Sequence, residues 1–459
     1  MSSLPIEISF EYGSLVASNA SENQLPEGFI WDHRTKQWRA PASSYRESIL
    51  HFEENDTPYS DLAKDYDKGC FDLQQQIIPR KHQTEALTAW LKNRGRGVVG
   101  LPTGAGKTIL AVLAIEKVSR PTLIIVPTID LMRQWQQTLA QFFDVNIGML
   151  GGGSKEVTEI TVATYDSALI HVEQFGNKFG MFVVDECHHL PAPQYQTIAL
   201  SLIAPFRLGL SATIERADGQ EERIYELLGP KVYEAQVKEM TGQVLAPYDV
   251  KCIKVDLSEQ EREDYDAERK IYKDFLQSAR VNFSSGNGWQ EFIMKTTRFP
   301  GGKRAMKAYR KQKHLAQAAS GKINVLWTLL QKHKHDRILI FTDDNALAYR
   351  IGRLFVLPVL THHTKVKERQ LFLDSFKNGS FSALVTSRVL NEGVDVPEAN
   401  VAVVVSGSGG VREHVQRLGR ILRQQPGKRA LLYELVSNDT NELYVNRRRR
   451  EHHAYQKSP

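Results

Sequence analysis

The stretch GVVGLPTGAGKTILAVLAIEKV, residues 97–118, constrains this chain more than any other. A short apolar run ends in small residues, then Gly-Lys-Thr, then an apolar helical pattern. That order demands a buried strand, a turn of bare backbone and a helix beginning at the turn. Such a turn wraps phosphate with backbone N–H groups at a helix N-terminus. Lys107 is placed to reach the β- and γ-phosphates, and the Thr108 hydroxyl to hold Mg²⁺. Pro102, Thr103, Gly104, Ala105 and Gly106 form the cradle. Leu101 stands where the strict GxxxxGK[ST] pattern has its first glycine. The motif calls for ATP and Mg²⁺ as cofactors.

A second apolar run ends in acids, MFVVDECHH. Asp185 lies 78 residues beyond Lys107 in this numbering (185 − 107). At a strand end it can hold Mg²⁺, and Glu186 can orient and deprotonate an attacking water. Cys187 and the neighbouring histidines lack a second ligand pair at zinc spacing.

Other runs repeat the rhythm. TLIIVP, ITVAT and FRLGLSA fall in the first half, and RILIFT, ALVTS and VAVVVSG in the second. Each is short and rich in Val, Ile and Leu, as strands buried on both faces are, with helical stretches between them. The fold expected is α/β: two P-loop-type lobes of RecA-like form with parallel sheets. A chain of 459 residues has room for two to four domains. The first seventy or so residues are aromatic and polar instead. IEISFEYGSLVAS suggests a strand pair and ASSYRESILHFEEN an amphipathic helix. We expect a small α+β domain over 1–75, lobe 1 over 76–245 and lobe 2 over 246–459.

Lobe 2 is expected to carry a helical insertion over about 258–322. EQEREDYDAERKIYKDFLQSAR reads as a charged amphipathic helix. From Phe292 to Lys322 there are nine Lys or Arg and no Asp or Glu. Lys303, Arg304, Lys307, Arg310, Lys311 and Lys313 crowd one predicted helix, which repels itself unless an anion lies alongside. Phe292, Phe299 and Tyr309 are interleaved, fit either to stack on bases or to pack inward. Net charge is only +6, so this concentration says more than the total. No apolar run approaches the ~20 residues of a membrane span. The start lacks a signal-peptide pattern, and three scattered cysteines suggest no disulfide framework. These features imply a cytoplasmic, nucleoid-associated protein with no membrane partner.

PTGAGKT, DECHH, SAT (Ser211 to Thr213) and QRLGRILR (Gln416 to Arg423), in this order, resemble the superfamily-two helicases. WDHRTKQWRAPASSYRE, IAPFRLGLSAT and GSGGVREHVQRLGRILR narrow the resemblance to XPB-type helicases of the short archaeal and bacterial form. The resemblance covers nearly the whole chain. It implies an ATP-dependent DNA 3′–5′ helicase or duplex translocase acting in DNA opening or excision-type repair. Gln83 would recognise adenine. Gly393 and Asp395 would line the nucleotide cleft, and Arg420 and Arg423 would face the γ-phosphate. His188, Thr213 and Gln416 would couple hydrolysis to movement. Thr128 and Thr164, with Pro127, would lie along the DNA backbone, and Arg216 near the strands. The basic segment, with Lys303, Lys307, Arg310 and Lys311, would be a thumb gripping DNA. The N-terminal domain would resemble the family's damage-recognition domain. A monomer working on single-stranded, forked or duplex DNA is expected, with a separate nuclease partner also implied.

Two other readings compete: an RNA helicase, because DECH motifs occur there, and an ATP-gated clamp that barely unwinds. The second draws support from one departure. The family usually carries Arg-Glu-Asp after SAT, and here stand Arg216, Ala217 and Asp218. Restoring the acid with Ala217→Glu should speed fork unwinding with ATPase little changed. A strand-displacement assay in which the variant equals wild type would make the departure neutral.

Overall fold

The computed structural model describes residues 5–102, 104–212, 219, 221–235, 248–283, 288–387, 399–407 and 430–443. They fall in two compact units, one on either side of residue 240.

The first unit opens with five short strands: β1 (Ile6–Glu11), β2 (Ser14–Ser18), β3 (Ile30–Asp32), β4 (Gln37–Pro41) and β5 (Tyr59–Leu62). They form one sheet in the order β3-β4-β2-β1-β5. Helix α1 (Tyr45–Glu54) sends Tyr45, Ser48 and Phe52 inward. The strand pair and helix expected here are both present. This domain shares its core with lobe 1: Ile203 packs among Ile8, Leu15 and Phe52. The Arg46 guanidinium donates to the carbonyls of Arg94 and Pro205 at 2.9 and 3.0 Å. The aromatic-rich sequence gives no sign of this shared packing.

The rest of the unit is an eight-stranded sheet. Its strands are β6 (Arg96–Gly100), β7 (Thr122–Val126), β8 (Ile147–Gly151), β9 (Ser154–Lys155), β10 (Ile160–Thr164), β11 (Met181–Asp185), β12 (Phe206–Ser211) and β13 (Lys231–Glu234). The order is β13-β6-β12-β11-β7-β10-β8-β9. Only β9 runs antiparallel to its neighbour. Every residue of β7, β10 and β11 is buried, as strands covered on both faces must be. The helices of this lobe are α2 (Lys81–Lys92), α3 (Lys107–Val118), α4 (Ile129–Phe142), α5 (Tyr165–Phe175), α6 (Pro193–Leu200) and α7 (Glu221–Leu228). In such sheets ligands bind beyond the carboxyl ends of the strands. The P-loop follows β6 and the DECH motif follows β11, so both emerge at that edge.

Among its described residues the second unit holds a six-stranded, all-parallel sheet: β14 (Tyr248–Val255), β15 (Ile338–Phe341), β16 (Val359–Leu360), β17 (Ala383–Thr386), β18 (Val401–Val404) and β19 (Ala430–Ser437). Their order is β14-β19-β18-β15-β17-β16. Between β14 and β15 come four helices, α8 (Glu259–Ser278), α9 (Gly288–Arg298), α10 (Gly302–Gln317) and α11 (Ser320–Lys332). Helices α12 (Asn345–Phe355) and α13 (Val366–Lys377) come after β15 and β16. The apolar runs expected for this lobe became β15, β17 and β18. Strand β14, YDVKCIKV, escapes a search for apolar runs because Asp249, Lys251 and Lys254 interrupt it; among the described residues it pairs with β19.

One interior group holds several elements of lobe 1 together. Arg207, 1% exposed, donates to the carbonyls of Ala199, Leu202, Ala204 and Leu227 at 2.7–3.1 Å. Those oxygens include groups in the last turns of α6 and α7, where helices lack intrahelical donors. Burial pushes the guanidinium pKa down, and four acceptors hold the group in place of a carboxylate. Arg207→Met should leave these carbonyls unsatisfied, at about 1–3 kcal/mol for a buried acceptor. The melting temperature should fall by roughly 4–10 °C. A thermal melt unchanged within about one degree would show that the guanidinium is dispensable to the fold.

Candidate ATP-hydrolysis site and nucleic-acid surfaces

Strand β6 ends at Gly100, and Leu101 N–H donates to the Ser211 carbonyl at 2.9 Å. This places the P-loop beside the end of β12. The loop turns on Gly106, with φ of +87° in the left-handed region that favours glycine. A Cβ there would lie 2.4 Å from the Gln83 amide nitrogen. Gln83 is buried on α2 and its amide donates to Gly106 O at 3.1 Å, while its oxygen accepts from Arg80 N–H at 2.9 Å. His82 meets Ala105 O at 2.8 Å. The residue expected to read adenine thus braces the phosphate loop in this structure. Lys107 begins α3, with Thr108 beside it on the first turn.

Lys107 Nζ lies 3.2 Å from Glu186 Oε1, with both side chains nearly buried. Burial pushes the Lys107 ammonium down, but the Glu186 and Asp185 carboxylates outweigh it, so its pKa lies above the usual lysine range. Burial also pushes Glu186 up, and Lys107 with His188 reverses this, leaving its carboxyl well below the usual range. Asp185 is raised, because burial dominates there over the Lys107 charge. Asp185 Oδ2 accepts from the Trp135 indole at 3.0 Å, and Oδ1 from Glu186 N–H at 2.9 Å. Glu186 itself stands at φ 49°, ψ 49°, a left-handed conformation unusual for a residue with a Cβ. The Tyr165 hydroxyl reaches the carbonyls of Asp185 and Glu186, both at 3.3 Å. His188 Nδ1 is 3.3 Å from Glu186 Oε2 and 3.3 Å from Ser211 Oγ, linking the acids to the SAT strand.

The donors fit a hard divalent cation. They are oxygens, and among the described residues no three His, Cys, Asp or Glu side chains gather as a metal cage. Mg²⁺ commonly takes one or two protein oxygens and completes its shell with water and nucleotide phosphates.

At the same sheet edge, Thr128 caps α4 by accepting from Leu131 N–H at 3.2 Å. Thr164 caps α5 by accepting from Ser167 N–H at 3.3 Å. Between them lies a feature our sequence reading passed over, Gly151-Gly152-Gly153, all at positive φ. A Cβ on Gly151 would meet Thr164, one on Gly152 would meet Ile129, and one on Gly153 would meet nothing within 4 Å. Three consecutive glycines after an apolar run were the available signal. They leave bare backbone beside two helix N-termini, an arrangement suited to phosphate.

In the thumb-like insertion, Lys303, Arg304, Lys307 and Arg310 are exposed on α10. The opposite face, Ala305, Ala308, Gln312 and Ala316, is buried. Lys311 pairs with Glu268 at 3.1 Å, and Lys313 with Asp343 at 3.3 Å. Phe292 is fully buried, and Tyr309 packs against it and Tyr272. Those two rings therefore pack inward, and Phe299 is the exposed one. Thr103, Thr213, Arg216, Gly393, Asp395, Gln416, Arg420 and Arg423 lie outside the described residues.

A P-loop lysine facing paired strand-end acids on one RecA-like sheet, with a second such sheet in the same chain, defines a superfamily-two helicase-type ATPase. Comparison with known proteins agrees. Residues 8–63 match the xeroderma pigmentosum group B helicase damage recognition domain. Residues 76–216 match the type III restriction enzyme res subunit, and 297–457 the ERCC3/RAD25/XPB C-terminal helicase. The DNA 3′-5′ translocase XPB2 of Sulfurisphaera tokodaii is 39% identical over 92% of this chain and 96% of its own length. The DNA 3′-5′ helicases XPB of Kineococcus radiotolerans and Mycobacterium tuberculosis are 35% and 32% identical over 79% and 75% of this chain. The matches span 60% and 58% of those two longer proteins. In fold, the Pyrococcus furiosus Hef helicase domain superposes with a TM-score of 0.55 at 18% identity, covering 80% of this chain and 97% of that one. The chain belongs to the XPB helicase family.

If Glu186 activates water, Glu186→Gln should bind nucleotide no less tightly than wild type and slow hydrolysis by about 10²-fold or more. Turnover at the wild-type rate would remove Glu186 from that role.

Proposed function

We propose that this chain is an ATP-driven DNA motor, a 3′–5′ helicase or duplex translocase that opens or tracks DNA during repair. The observation that carries the reading is the buried Lys107–Glu186–Asp185 cluster at a P-loop, in a chain 39% identical to a DNA translocase over almost its whole length. ATP is the fuel. Mg²⁺ would be held by Thr108 and Asp185, and would neutralise charge on the β- and γ-phosphates when bound. Glu186 accepts the water's proton, and His188 conveys the state of that acid toward Ser211. Lys107 leaves Glu186 for the phosphates, which frees the carboxylate to act as base. Arg420 and Arg423 are assigned to transition-state charge, and Gly393 and Asp395 to the nucleotide cleft.

DNA is the polymer we assign to two surfaces. On lobe 1 the caps at Thr128 and Thr164, with Gly151–Gly153, suit a phosphate backbone. On the thumb, Lys303, Lys307 and Arg310 present charge that no described acid neutralises. Lys311 contributes less, because Glu268 already holds it. We place the protein in the cytoplasm with the nucleoid, as a monomer whose nuclease activity, where needed, comes from a separate partner. The Arg216-Ala217-Asp218 departure favours, as a second reading, an ATP-gated clamp that remodels its target and barely unwinds.

The thumb gives a quantitative test. Each phosphate contact contributes about 0.7–0.9 to the log–log slope of affinity against salt. Changing Lys303, Lys307 and Arg310 together to alanine should flatten that slope by roughly 2–3 units, equally for all DNA sequences. DNA-stimulated ATPase should fall with it. A slope change well under one unit would make this face a solvated one and not a DNA grip.

A further inference from the structure

The two threonine caps are connected to the ATP-site acids by two buried aromatic side chains. Trp135 lies two turns into α4 from Thr128 and is 1% exposed. Its indole N–H holds Asp185 Oδ2 at 3.0 Å. Tyr165 directly follows Thr164 and is 3% exposed. Its hydroxyl sits 3.3 Å from two successive carbonyls, those of Asp185 and Glu186. We infer that Trp135 and Tyr165 are positioning residues that carry the engagement of the glycine-and-cap surface to the two carboxylates of the ATP site.

Three features support this. First, each helix is a rigid body whose first turn belongs to the surface and whose aromatic belongs to the site. A small displacement at the cap therefore reaches the acid without an intermediate loop. Second, the Tyr165 contacts are equal and long, against roughly 2.7–2.8 Å for an ordinary O–H···O bond. A small shift of α5 changes both contacts, since the same hydroxyl makes them. Third, the two peptides that the Tyr165 hydroxyl touches flank Glu186, whose left-handed backbone is held by its surroundings and not by its own preference. Its carbonyl also accepts from His189 N–H at 3.0 Å. Trp135 acts on the orientation of the Asp185 carboxylate, and Tyr165 on the backbone that aims Glu186. Coupling between sites is carried by packed elements of this kind, and changes along them alter it by amounts equal to a few-fold to tens-fold.

The inference rests on the reading that this surface meets DNA. Tyr165→Phe is the main test, because it removes one oxygen and keeps the ring against Tyr195 and His189. Trp135→Phe is the second. ATPase kcat and KM are measured with and without saturating duplex DNA, DNA affinity by anisotropy without nucleotide, and folding by thermal melt. In each variant the ratio of DNA-stimulated to DNA-free kcat should fall about three- to tenfold. KM for ATP and DNA affinity should stay within about twofold of wild type. A folded variant with the wild-type ratio overturns the inference, including one in which both rates fall equally, since that is a structural or catalytic effect. A wild-type enzyme whose ATPase ignores DNA would instead sink the DNA reading, and this inference with it.

Discussion

The ion pair between Lys107 and Glu186 is the interaction on which the site depends. It neutralises a buried cation with a buried anion where neither could be left alone, because an uncompensated buried charge costs several kcal/mol. It sets the sign of both pKa shifts: Glu186 is held ionised and Lys107 protonated. Asp185 is raised, because burial and the Glu186 charge outweigh the pull of Lys107 there. The resting site is therefore balanced internally, and phosphate must compete with Glu186 for the lysine. That competition gives a direct link between nucleotide binding and release of the base.

The topology explains why these groups meet. A parallel sheet brings all its strand ends to one edge, so residues 79 apart in sequence (186 − 107) come within bonding distance. The same edge carries the starts of α4 and α5. A surface suited to a polyanion and an acid pair for hydrolysis thus share one scaffold, separated by the length of two short helix segments. Arg207 secures the far ends of α6 and α7 beneath that scaffold.

Much of this was legible in the sequence. Buried parallel strands are short and uniformly apolar, so TLIIV and ITVAT declare themselves, and GKT and DECH mark their own chemistry. Strand β14 was not legible, because Asp249, Lys251 and Lys254 break its apolar pattern. The Trp135 and Tyr165 bonds were not legible either, since a buried aromatic reads as plain core until its polar atom's partner is known. The shared core at Ile203 depends on contacts between segments far apart in sequence. Charge in the thumb was visible, but its partition was not: Lys311 and Lys307 look alike in sequence, and only the fold sets Glu268 beside one of them.

The central claim is that Glu186 holds Lys107 until phosphate displaces it. The direct measurement is the affinity of wild type and Glu186→Gln for a non-hydrolysable ATP analogue with Mg²⁺, free of the difference in turnover. With the competing carboxylate gone, the lysine is left as a buried cation awaiting an anion. The variant should bind the analogue more tightly, by about three- to tenfold. Equal or weaker binding would contradict the claim, and would mean that the pair does not restrain the lysine.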